Sequence, residues 1–118
     1  MNKVQTQFAF TDNGAKAVIV DGDEFDFTVI GDLGGGAVYI EETTITWRQS
    51  GLADEATWEA DTSIPDMWSA VEWDDAPDGR FASSVPTRKC KEKKSIIRVR
   101  LAGATSPNVK GNVIVYRP

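Results

Sequence analysis

Hydrophobic and polar positions alternate along this chain in short runs. Phe25, Phe27 and Val29 are interleaved with Glu24, Asp26 and Thr28, so a strand puts three apolar side chains on one face and two carboxylates and a hydroxyl on the other. The same period of two recurs in Ile97, Val99 and Leu101 around Arg98 and Arg100, and again in Val113 and Val115 around Ile114 and Tyr116. Asn13-Gly14, between the runs 7–10 and 15–20, carries the signal of a type I′ turn and predicts a hairpin. Four glycines between Gly31 and Gly36 precede a strand-like 37–40, in which Val38 and Ile40 share a face. They predict a positive-φ loop or bulge joining two strands, because a phosphate cradle would have to open a helix. Thr43-Thr44-Ile45-Thr46-Trp47 is β-branched and aromatic and suits a pleated surface.

The middle is less periodic. Residues 52–59 read as a short helix or a strand around Trp58. Ser63, Pro65 and Asp66 resemble a helix start, and Ile64, Trp68 and Val71 recur at i, i+4 and i+7, although 71–73 reads equally as extended chain. Residues 74–79 are a loop, and 83–87 with Pro86 form irregular or edge backbone. Seven or eight short strands with at most one short helix describe an all-β, single-domain antiparallel β-sandwich over 1–118, Ig-like or jelly-roll-like. Residues 1–7 are polar, lack the apolar stretch of a secretory signal, and read as an N-terminal arm. No apolar run approaches the roughly 20 residues of a membrane span.

Composition narrows the chemistry. The chain contains no histidine and one cysteine, Cys90, which removes His-based nucleophile activation, His metal ligation and any internal disulfide. The net charge of −5 conceals a segregation. Residues 1–79 hold three basic and 17 acidic side chains, a net of −14, whereas 80–118 hold ten basic and one acidic, a net of +9. Two readings follow: late strands neutralise early ones across a sheet, or the basic segment meets an acidic surface on another chain. The densest cluster is a basic loop at 88–94, with Arg88, Lys89, Lys91, Lys93 and Lys94. It lacks interleaved aromatics, and the molecule is acidic, so nucleic acid and a bare membrane surface are not the expected partners. Asp21, Asp23, Glu24 and Asp26 lack the spacing of an EF-hand loop, and a solvated turn is expected there. The expectation is no cofactor, no metal and no catalytic set, since no carboxylate pair stands out among 18. Trp47, Trp58, Trp68 and Trp73 are many for this length; they serve a core, a subunit contact or a sugar-stacking platform.

The runs 25–31, 34–40 and 101–109, with the closing 113–116, together resemble small β-sandwich virion proteins of tailed bacteriophages. The shared pattern is an alternating strand, a glycine-rich turn, a second strand and, late in the chain, an arginine-bearing strand, a small-residue turn and a final strand. The resemblance covers about a third of the chain, and glycine turns between alternating strands occur in many β proteins. Residues 52–77 and 88–94 have no counterpart in it. It implies a non-enzymatic capsid decoration (cement) protein on the outer capsid surface of the virion. Such a subunit, expected as a homotrimer, bridges and stabilises the major capsid protein. Arg88, Lys89, Lys91, Lys93 and Lys94 are then the expected electrostatic contact, and Trp68 and Trp73 the hydrophobic anchors. The alternatives are a tail or collar accessory protein, a carbohydrate-binding module using Tyr39, Trp47 and Trp58, and a small hydrolase with paired carboxylates.

Overall fold

Alternating apolar side chains need two faces to close over them, and the chain supplies two sheets. The computed structural model describes residues 2–61 and 67–118. In chain order it contains β1 (Asn2–Phe10), β2 (Gly14–Ile19), β3 (Glu24–Asp32), β4 (Ala37–Thr43), α1 (Glu55–Ala60), β5 (Ser69–Ala70), β6 (Arg80–Phe81), β7 (Val85–Cys90), β8 (Ile96–Ala102) and β9 (Asn108–Arg117). The first sheet has the order β1-β9-β3-β7 and the second β2-β8-β4-β5, with β6 also paired to β4. Every ladder is antiparallel.

Successive long strands fall in opposite sheets, and the pairs β1–β9, β2–β8, β3–β7 and β4–β5 nest inside one another. That is one long hairpin wrapped around a core, the jelly-roll arrangement, with β5 and β6 sharing the place of one strand. The all-β sandwich is therefore present, and its connectivity is jelly-roll-like, not Ig-like.

Phe25, Phe27, Val29, Val38, Ile40, Ile97, Val99, Val113 and Val115 meet between the sheets, with Leu101 and Val109 beside them. Each such side chain contributes about 1.5–3 kcal/mol by leaving water. The 31–36 turn carries β3 across to β4, as the glycines predict, with positive φ at Gly31, Gly34 and Gly35. Gly36 is required for another reason: a Cβ there would lie 2.5 Å from the Ala102 carbonyl oxygen.

Several expectations are corrected. Asn13-Gly14 makes no hairpin, because β1 pairs with β9 and β2 with β8. Asn13 instead pins the opposite turn: its side-chain amide donates to the Ala104 carbonyl (3.1 Å) and its oxygen accepts from the Ala104 N–H (2.9 Å). Residues 1–7 read as an arm in the sequence, but from Asn2 onward they belong to β1, which lies in unbroken register along β9 from Asn2↔Arg117 to Phe10↔Val109. Extended structure ends at Thr43, and 44–50 turn back on themselves through bonds from Gln49 and Ser50 to Thr46. Residues 55–60 resolve as helix, capped by the Asp54 carboxylate accepting from the Thr57 N–H at 2.7 Å. The helix start at 63–66 lies outside the described residues, and Ser69–Ala70 is strand, so the spacing of Trp68 and Val71 is not helical. The basic segment is not a loop throughout, since Arg88, Lys89 and Cys90 close β7.

The largest departure concerns β8. Alternation leaves Arg98 facing away from the sandwich core, but it is only 2% exposed. A second apolar layer covers this outer face. Trp58 of α1, Met67 and Ile96 form its centre, with Ala17, Ile45, Trp47, Leu52 and Trp68 packed around them.

Candidate functional site

The basic segment begins on an edge strand that its own neighbours neutralise. Lys89 stands opposite Asp26 in the β7–β3 register, and its ammonium lies 3.7 Å from both Asp26 and Glu24 and 4.5 Å from the centre of the Tyr116 ring. Arg88 makes two hydrogen bonds to the Asp75 carboxylate, at 2.7 and 2.6 Å, and covers the Phe81 ring at 5.2 Å. These bonds hold the Asp75 carboxyl below its ordinary pKa. Lys94, half-buried, is bound by Glu42 at 2.8 Å and Glu92 at 3.2 Å. Burial pulls its pKa down, but the two carboxylates outweigh burial and the net shift is upward.

Lys91 and Lys93 differ. Both are exposed, and neither forms an ion pair or side-chain hydrogen bond among the described residues. They sit on the turn between β7 and β8, which is fastened to the turn after β2. The N–H groups of Val20 and Asp21 both donate to the Ser95 carbonyl, and the Gly22 N–H donates to the Lys94 carbonyl. Two free cations therefore project from a held turn. Cys90 beneath them is buried, and burial raises its thiol pKa, which makes it a poor nucleophile.

The tryptophans are mostly committed to packing. Trp73 is half-buried against Phe27 and Phe81, with ring centres 5.5 and 5.6 Å away. Trp68 is half-buried between Trp58 (5.1 Å) and the Arg98 guanidinium (4.4 Å). The sugar platform is not assembled: Trp58 is 3% exposed, Trp47 packs into the second layer, and Tyr39 lies under the Arg100 guanidinium at 4.5 Å. Of the early carboxylates, Asp23, Glu24 and Asp26 are likewise engaged, Glu24 by Lys89. Asp23 accepts from Arg117 at 2.9 Å, and Asp26 accepts from the Tyr116 hydroxyl at 2.5 Å. Among the described residues, no group of three or more Cys, Asp or Glu side chains is placed to hold a metal ion.

The arrangement that sequence reasoning missed is the anchor of the second layer. Arg98 donates through Nε to Glu41 Oε1 (2.8 Å) and through Nη1 to the carbonyls of Glu59 (2.7 Å) and Asp61 (2.9 Å). Arg100 donates to both oxygens of the same carboxylate, at 2.8 and 3.3 Å. Burial pushes the Glu41 carboxyl up, but hydrogen bonds from Arg100 and Arg98 and their charges prevail, leaving it lowered. A buried guanidinium so satisfied ties the end of α1 to the sheet. The available signal was Trp58 and Trp68, two large aromatics in a middle stretch with no clear strand period to place them. No family model matches the chain, and no curated protein or solved structure matches it.

Proposed function

We propose that this chain is a non-enzymatic virion structural protein of the decoration type, which binds the outer surface of a capsid and stabilises the shell by bridging its subunits. The observation that carries the reading is the held turn with Lys91 and Lys93 unpaired, beside a basic segment whose other charges are satisfied internally. A preorganised turn with free cations is suited to an acidic protein surface, because little ordering entropy is lost on docking. Arg88, Lys89 and Lys94 then hold the scaffold, while Lys91 and Lys93 make the electrostatic contact. Jelly rolls are used by both viral capsid and lectin domains, so the topology is compatible with the reading without deciding it. Binding only to assembled shells stabilises them by mass action.

The test is co-sedimentation with shells lacking this protein, across a salt series. Saturable binding at fixed stoichiometry, weakened several-fold by Lys91→Glu with Lys93→Glu and by added salt, is expected. Absence of shell binding refutes decoration; binding indifferent to both charge reversals refutes the turn as its contact.

A further inference from the structure

We infer that β1 is a self-recognition edge: two copies of this chain pair antiparallel along β1 about a two-fold axis, joining their first sheets into one of eight strands. The inference needs only the chain itself and is independent of capsid binding.

A sheet edge exposes unpaired N–H and C=O groups, and folded proteins blunt such edges by recognisable means. Among the described residues the two sheets have four edges, and three of them are blunted. On β2 the Ala17 N–H is occupied by Glu59 Oε2 at 2.5 Å, from α1 lying beside it. β7 carries Pro86, which has no N–H, the charges of Arg88 and Lys89, and a register break against β3. β5 and β6 are two residues each. Among the described residues β1 alone is a long and regular edge, with nine consecutive pairs to β9, no proline and one charge, Lys3. A single open edge pairs with its own copy, and like-with-like pairing closes as a two-fold dimer, in place of the trimer that the resemblance implies.

Charge and side-chain pattern support a second copy as the occupant. Full overlap of 2–10 with its copy centres the axis on Thr6 and sets Gln5 opposite Gln7, Val4 opposite Phe8 and Lys3 opposite Ala9. Side chains opposite one another then share a face, as the pleat requires. The two Lys3 ammoniums fall six residues apart along the seam, about 20 Å, well beyond the screening length of about 8 Å. The nearest like charge across the seam is Lys110, two strand spacings from Lys3, about 10 Å. Val4, 43% exposed in the single chain, gains an aromatic neighbour in Phe8 of the copy. Gln5 and Gln7 bring polar amides to the solvent face and no charge.

Sedimentation equilibrium of the chain, up to about 1 mM, tests this. The expected result is a reversible rise from 12.9 kDa toward twice that mass. Gln5→Lys with Gln7→Lys places like charges opposite one another twice and weakens the dimer about tenfold or more. Gln5→Lys with Gln7→Glu places opposite charges there and restores it. Both positions are exposed, so circular dichroism should stay unchanged, and slower amide exchange of 2–10 in the wild-type chain at high concentration gives a readout free of substitutions. A monomer throughout, a trimer, or a dimer indifferent to both double variants overturns the inference.

Discussion

Glu41→Gln is the most informative single change. Oε1 of Glu41 accepts from both Arg98 and Arg100 at 2.8 Å, and Oε2 accepts from Arg100 at 3.3 Å. The amide keeps the shape, removes the charge, and turns an N–H donor toward a guanidinium. Arg98 and Glu41 are 2% and 13% exposed as side chains, so water cannot replace the lost carboxylate. Breaking a buried pair from one side costs about 3–5 kcal/mol. The lower end, about 3 kcal/mol, applies because Asp61 also contributes favourable charge to Arg98. Against a total stability of about 5–15 kcal/mol this is between a fifth and over a half. It lowers Tm by roughly 12 °C in a chain of this size. Urea unfolding followed by far-ultraviolet dichroism and by tryptophan fluorescence measures it, as a fall in midpoint at constant slope. Arg100→Gln, at a residue 19% exposed, leaves the Arg98–Glu41 bond in place and should cost about 1 kcal/mol. A loss below about 1 kcal/mol for Glu41→Gln, or one no larger than that of Arg100→Gln, would refute the account of a buried arginine held by this carboxylate.

Three further outcomes are expected. Because the folded Glu41 carboxyl sits below its ordinary value of 4.5, its contribution is present above that pH and is lost as pH falls through the folded pKa. The urea midpoint should therefore drop below about pH 4.5, less steeply in Glu41→Gln; parallel profiles would contradict it. Gly35→Ala and Gly79→Ala both place a Cβ at positive φ, but only at Gly79 would it meet backbone, 2.6 Å from the Ile40 carbonyl oxygen. Gly35→Ala should cost about 1 kcal/mol and Gly79→Ala at least about 2 kcal/mol more in the same urea assay; equal losses would sink that distinction. Cys90, buried with a raised pKa, should react with a thiol reagent near pH 8 only as fast as the fold opens, and immediate reaction in the native state would contradict its burial.

Much of the sandwich is legible in the residues, and the reason is geometric. A strand turns each side chain by half a revolution, so Phe25/Phe27/Val29 and Ile97/Val99/Leu101 declare their inward face without reference to any neighbour. The glycines at 31–36 declare a tight crossing for the same local reason. The candidate site was legible only in part. Composition marks the lysines of 88–94, but not that Arg88, Lys89 and Lys94 find carboxylates from Asp75, Glu24, Asp26 and Glu42, up to 65 residues away in the chain.

What the chain by itself determined is the period, the inward face and the places where the backbone must bend. Tertiary structure decided which strand lies beside which, and so separated β1 from β2 where the Asn13-Gly14 pair suggested a hairpin. It also decided that the polar face of β8 lies under a tryptophan layer, which turns Arg98 from a solvated charge into a buried tie. Alternation records only that a side chain points away from the core. Whether water or protein waits on that side depends on where a distant segment packs, and no local period encodes that.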